Sequence, residues 1–214
     1  MIRPDLEAIP PYVPGVRDER AIKLSSNECA EGPLPSVVDA MRKALGEINR
    51  YPDIGALQLR TVLGEHLGVA PEQVALGAGS SALCQQLVSI AAQPGDDVVF
   101  PWRSFEAYPI FVQVVGATPV RVPLGSDDRL DMPALAAAVT ERTKLIFICN
   151  PNNPTGTTIT NAEFTAFMDE VPADVLVVLD EAYFEYNHAA DTLVATEVIT
   201  RYPNAVSYTH LRAH

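Results

Sequence analysis

Short apolar strands alternating with amphipathic helices predict a doubly wound α/β domain on a mostly parallel sheet. Two runs carry most of that expectation, Leu145-Ile146-Phe147-Ile148-Cys149 and Val175-Leu176-Val177-Val178-Leu179. Continuous apolar runs of this length, separated by one helical stretch, are the pattern of parallel strands buried on both faces. The third observation is a small-residue turn, Gly77-Ala78-Gly79-Ser80-Ser81, set between a short apolar segment and a helix. Crossovers between successive parallel strands are expected to be right-handed.

Residues 1–35 are rich in proline without periodicity and read as an extended arm, with a turn cluster at Pro10-Pro11-Tyr12-Val13-Pro14-Gly15. Within the arm, Asn27 reads as a loop residue capping its own backbone. Ser36 is placed to cap a first helix whose apolar face is Val37, Val38, Met41, Ala44, Leu45 and Ile48. A second helix is expected from Ala56 to Leu67, stopped by Gly68. Gln73-Val74-Ala75-Leu76 then reads as a strand leading through the small-residue turn into a helix from Ala82 to Ala92. Asp97-Val98-Val99-Phe100 is the next strand, and Pro101 to Tyr108 opens the helix after it. Thr118-Pro119-Val120-Arg121-Val122 is a strand that its proline assigns to a sheet edge. Asp131 caps a helix through Val139, and a helix from Ala162 to Met168 joins the two long apolar strands.

At 214 residues the chain holds one large domain and at most a fragment of a second. No apolar run approaches the roughly 20 residues of a membrane helix, and no leader-like segment opens the chain, so a cytoplasmic protein away from membranes is expected. With 27 acidic and 15 basic residues, the net charge of −12 argues against nucleic acid as a partner. Cys29, Cys84 and Cys149 are widely spaced and unpaired in sequence, and His66, His188, His210 and His214 lack ligand spacing. Neither set reads as a metal site or a disulfide framework.

In open α/β sheets, ligands bind beyond the carboxyl ends of the strands. Asn153 and Asp180 follow the two apolar strands and should therefore face one crevice. The turn before the Ala82 helix offers backbone N–H groups at the positive end of a helix dipole, which suits a phosphate. It has neither the G-x-x-x-x-G-K nor the full G-x-G-x-x-G pattern, and a tight turn with no ligand stays equally open. A phosphorylated pyridine ring would use every element present. Asp180 would pair with the protonated ring nitrogen, Asn153 and Tyr183 would bind the ring hydroxyl, Phe105 would stack, and Gly79 to Ser81 would hold the phosphate.

Asn150-Pro-Asn-Asn-Pro-Thr-Gly156 with Asp180-Glu-Ala-Tyr183 resembles the fold-type I, class I and II pyridoxal-phosphate (PLP) aminotransferases. Leu24-Ser-Ser-Asn27-Glu28 and Arg50-Tyr-Pro-Asp53 are similar to the histidinol-phosphate aminotransferase branch. The segment Trp102 to Tyr108 is similar to actinobacterial members, some of which act on aromatic amino acids. The resemblance implies pyridoxal 5'-phosphate as cofactor and an incomplete large domain over residues 36–206, behind the arm. It implies Ser80, Ser81, Phe105, Asn153, Asp180 and Tyr183 as cofactor contacts. Tyr51 would reach the cofactor phosphate of a second subunit, which implies a homodimer, and Tyr12 and Asn27 would lie on the substrate side. The implied partners are an amino acid or amino-alcohol phosphate and a 2-oxo acid such as 2-oxoglutarate. The family's phosphate turn reads Gly-Asn-Gly-Ser-Asp-Glu, whereas this chain has Gly-Ala-Gly-Ser-Ser-Ala.

One family residue has no counterpart. A Schiff-base lysine, within a Ser-x-x-Lys segment, is expected to follow the Asp-Glu-Ala-Tyr strand, yet the only lysines are Lys23, Lys43 and Lys144. The expectation is therefore a chain cut before that lysine, with residues 207–214 foreign to the family and cofactor bound non-covalently in an inactive fragment. Two readings stay open beside it: another fold-type I PLP enzyme, and a PLP-related binding module that has lost its lysine. A dinucleotide-binding module is weaker, because no acidic residue follows Gly79 at ribose distance.

Overall fold

The computed structural model describes residues 3–11, 18, 20–24 and 26–210. Its centre is a five-stranded, all-parallel sheet of order β2-β1-β3-β4-β5. The strands are β1 (Asp97–Trp102), β2 (Thr118–Pro123), β3 (Thr143–Cys149), β4 (Leu176–Asp180) and β5 (Ala205–Tyr208). The helices are α1 (Pro35–Ala44), α2 (Leu57–Leu67), α3 (Ser80–Ala91), α4 (Tyr108–Val115), α5 (Met132–Ala137), α6 (Asn161–Glu170) and α7 (Ala195–Arg201).

Both faces of the sheet are covered, as the unbroken apolar runs require. Successive side chains of a strand point to opposite faces. In β3, Leu145 and Phe147 pack with Val88 of α3 and Val112 of α4. Ile146 and Ile148 pack on the other side with Leu135, Phe164 and Val198 of α5, α6 and α7. Val177 and Leu179 of β4 join that second cluster while Val178 joins the first. This is the doubly wound arrangement that the sequence predicts.

Local signals explain most boundaries. The Asp131 side chain accepts from the Ala134 N–H at 2.9 Å and starts α5. Thr160 and Glu163 form a reciprocal capping box on α6. Gly68, at φ +70°, ends α2 in the left-handed conformation that glycine adopts freely. β2 lies at the edge, where Pro119 and Pro123 cost the ladder least.

Three expectations are corrected. Gln73-Val74-Ala75-Leu76 forms no strand; Pro71–Gln73 is a 3-10 turn and the rest pairs with no neighbour. Four apolar-leaning residues suit an extended coil as well as a strand, and here they pair with neither edge of the sheet. Ser36 does not cap α1, which begins one residue earlier with Pro35 at its first position and no side-chain cap. The helix after β1 starts at Tyr108, because the strand runs on through Pro101 to Trp102. β5 runs past residue 206, and its Ser207 and Tyr208 align with Leu179 and Asp180.

Pro101 is tolerated because β1 has parted from β3 before reaching it. Pairing between β1 and β3 covers only Asp97, Val98 and Val99, whereas pairing with β2 continues to Trp102. The chain also reverses direction here, winding from β1 to β2 on one side and returning to β3 on the other. Such a switch point opens a crevice at the carboxyl ends of the strands.

Candidate functional site

A cavity of about 430 Å³ occupies that crevice. Its walls include Asn27, Ser80, Ser81, Phe105, Asn153, Asp180 and Tyr183. The structure thus brings together seven of the nine residues that the sequence singles out. Tyr51 is 99% exposed and lies outside the cavity, and Tyr12 lies outside the described residues.

The Asn150–Gly156 loop divides its asparagines by role. Asn150 and Asn152 are buried and committed to the fold. Asn150 Oδ1 accepts from the Ile159 N–H at 3.0 Å, and its own N–H donates to the Asp180 carbonyl at 2.9 Å. Asn152 Oδ1 accepts from Ser104 Oγ at 2.7 Å, while its Nδ2 donates to the Arg103 carbonyl at 3.1 Å. Those bonds brace the loop after β1 against the loop after β3, across the parted strands. Only Asn153, half-buried, carries its amide to the cavity.

Asp180 ends β4 with 3% of its surface exposed. Oδ2 accepts from the Tyr108 hydroxyl, and Oδ1 accepts from the Ala182 N–H at 3.1 Å. Burial raises its carboxyl above the ordinary range, and the hydrogen bond from Tyr108 opposes that rise. Among the described residues no lysine or arginine lines the cavity; the basic side chain there is His210, whose charge would favour the Asp180 carboxylate. Cys149 also lines it, as a neutral thiol whose proton affinity burial pushes up.

Opposite Asp180, α3 points its N-terminus at the cavity. Gly79 precedes it at φ +76°, a conformation L side chains rarely adopt, and a Cβ on Gly77 would meet Leu83 Cγ at 3.0 Å. The small residues therefore serve this turn, whose first N–H groups have no helical acceptor. Ser80 Oγ lies 3.3 Å from His210 Nδ1. On the arm side, Asn27 sits at φ +50° and its Nδ2 donates to Tyr183 Oη at 2.9 Å. Asn27 is thus tied to the strand-end tyrosine, a contact 156 positions long that no local pattern announces.

Tyr108 is the residue that the sequence reading passes over. It reads as a helix opener, yet it is fully buried, stacked on Phe147 at 4.3 Å and 8°, and hydrogen-bonded to Asp180. A second cavity of about 410 Å³ adjoins the first, sharing Asn27, Asn153 and Tyr183 and adding Pro151, Pro154 and Tyr186.

Glu181, beside Asp180, is 4% exposed and accepts from Ser207 Oγ at 2.6 Å. Burial pushes its carboxyl from 4.5 up to about 7. The fold holds this proton up to about pH 7, while the unfolded chain releases it near 4.5, so stability falls as pH rises across that window. At 1.36 kcal/mol per unit the loss is about 3 kcal/mol above pH 7. Glu181→Gln is expected to flatten the pH 5–8 stability curve measured by urea denaturation and to stabilise the chain at pH 8. An unchanged slope would contradict this assignment.

Among the described residues no helix is long and apolar enough to cross a membrane. The family model for aminotransferase class I and II matches residues 19–210. An aromatic amino acid aminotransferase from Corynebacterium diphtheriae is 62% identical over 206 residues, which is 96% of this chain and 60% of that protein. One from Rhodococcus jostii is 57% identical over 205 residues, 95% of this chain and 56% of that protein. The histidinol-phosphate aminotransferase from Sinorhizobium meliloti, solved in complex with pyridoxal 5'-phosphate, superposes with a TM-score of 0.80 at 33% identity. That match covers 86% of this chain and 50% of the solved one. The chain therefore spans about three fifths of the length of these Corynebacterium relatives.

Proposed function

Because the chain belongs to the class I and II aminotransferases, we propose that its cavity holds pyridoxal 5'-phosphate. The whole protein then transfers an amino group from an aromatic amino acid to 2-oxoglutarate, as a homodimer. The observation that carries the cofactor reading is Asp180, a buried carboxylate at a cavity whose described lining includes His210 but no lysine or arginine. A buried anion of that kind calls for a cationic ligand atom. A protonated pyridine nitrogen supplies one, and the remaining groups fit the rest of the molecule.

Asp180 holds the ring-nitrogen proton, and Asn153 and Tyr183 bind the ring oxygen and set its orientation. Phe105 covers one face of the ring and excludes water. Ser80 and Ser81, with the first N–H groups of α3, bind the phosphate. When bound, the cofactor supplies an electron sink for bonds at the substrate α-carbon. Asn27 bonds Tyr183 from the arm, at the seam with the second cavity, where Tyr186, Pro151 and Pro154 offer an apolar seat for an aromatic side chain. Tyr51, fully outside the cavity, is free to reach a second subunit.

The choice of amino donor rests on the Corynebacterium and Rhodococcus relatives, named for aromatic amino acids at 57–62% identity. Histidinol phosphate is the competing donor, supported by the Sinorhizobium structure at 33%. Equilibrium dialysis of the chain against PLP is expected to give saturable, one-to-one binding. None of Lys23, Lys43 or Lys144 lines either cavity, so borohydride should leave no reduced adduct on lysine. The reduced phosphopyridoxyl-tyrosine adduct should bind tighter than the histidinol-phosphate adduct. Absence of saturable PLP binding would sink the cofactor reading, and the opposite adduct order would sink the aromatic donor.

A further inference from the structure

Tyr108 sits one layer behind the cavity and touches two of its walls. Its hydroxyl donates to Asp180 Oδ2, across 72 positions of sequence. Its ring lies parallel to Phe147 at 4.3 Å and meets Phe105 edge-on at 5.5 Å and 89°. It is fully buried and is not among the residues that line the cavity. One side chain therefore fixes both the carboxylate at the cavity floor and the aromatic ring at its wall.

Resting on the cofactor reading above, we propose that Tyr108 is a positioning residue that keeps the Asp180 carboxylate anionic and aimed at the ring nitrogen, while seating Phe105 against the ring face. The chemistry follows from the direction of the hydrogen bond. An O–H donor stabilises the charged form of a carboxylate and competes with protonation. A buried carboxylate that lost this donor would hold a proton of its own more readily, and would be a poorer partner for a protonated ring. Oδ1 is already taken by the Ala182 N–H, and the Tyr208 hydroxyl also donates to the carboxylate, so Tyr108 acts within a set of donors that together fix its orientation. Packing against Phe147 and Phe100 holds the phenol ring itself in place, which makes the hydroxyl a fixed donor.

The test is Tyr108→Phe, which removes the hydroxyl and keeps the ring. Dissociation constants are measured on the full chain for PLP and for its carbocyclic analogue, in which C–H replaces the ring nitrogen. The PLP constant is expected to rise at least fivefold and the analogue's to stay within twofold, with a changed visible absorption band for bound PLP. In an Asp180→Asn background the same substitution should leave PLP binding within twofold, because the group it acts through is gone. Equal weakening of both ligands, or a PLP constant within twofold of the parent, would overturn the proposal and leave Tyr108 as packing only. Binding of neither ligand by the parent chain would overturn the cofactor reading, and this inference with it. If Tyr108→Phe alters the thermal transition, the Asp180→Asn pair still isolates the coupling, since both members share that change.

Discussion

Asp180→Ala is expected to weaken PLP binding by about two to three and a half powers of ten while leaving the fold intact. Breaking a buried ion pair by deleting one partner typically costs about 3–5 kcal/mol, and each 1.4 kcal/mol is tenfold in affinity. The substitution strips the ring nitrogen of its counter-charge and also frees the Tyr108 hydroxyl and the Ala182 N–H. Folding should respond far less, because relief of the buried charge is offset by the buried Tyr108 hydroxyl left without its acceptor. Burial makes the Asp180 carboxylate costly to charge in the empty cavity, so its removal relieves the protein of an unfavourable ion. Calorimetric titration with PLP and a thermal melt of the empty chain separate the two effects. A dissociation constant within threefold of the parent would contradict the placement of the ring nitrogen at Asp180.

Phe147→Ala should do the reverse, unfolding the chain before it affects any ligand. Phe147 is fully buried in the middle of β3 and stacks on Tyr108, in the cluster that joins α3 and α4 to the sheet. Truncating a buried phenylalanine costs about 3–5 kcal/mol through lost burial and the cavity left behind. That is a large part of the 5–15 kcal/mol that holds an ordinary domain together. Urea denaturation at 25 °C is expected to show the midpoint falling accordingly. Met41→Ala, at a 63% exposed position on α1, should lower stability by less than about 0.5 kcal/mol. Equal effects from the two substitutions would mean that the sheet is not the stabilising core.

The sheet was legible because its strands are continuous apolar runs, and a run buried on both faces is hard to mistake at the length of β3 or β4. The helices were legible from periodicity and caps, with Asp131 and Gly68 acting where they were expected. Gln73 to Leu76 failed for the same reason in reverse: an extended stretch becomes a strand only if it pairs with a neighbour, and four residues do not reveal whether one is there. In the site, Asn153 and Asp180 were legible as residues at strand ends, Phe105 as an aromatic in the loop after β1, and the α3 turn as small residues before a helix. The division of labour among Asn150, Asn152 and Asn153 was not, because all three look alike until their partners are known. Tyr108 carried no signal at all. Its meaning lies in a bond to Asp180 from a distant element, and an aromatic at a helix start is most often mere packing.

The early parting of β1 from β3 has a consequence for how such a protein can diversify. Phe100, Pro101 and Trp102 run on beyond the last rung shared with β3, about 10 Å of strand at about 3.3 Å per residue. The opening is thus a wedge left by rungs that were never formed, with its apex at Val99 and Ile146. Its size is set by register, which a one-residue slip would scramble, while its lips are loops free to vary. Lineages sharing this sheet would be expected to keep the wedge, and so the flat ring it admits, while changing the residues around its mouth and hence what is brought to that ring.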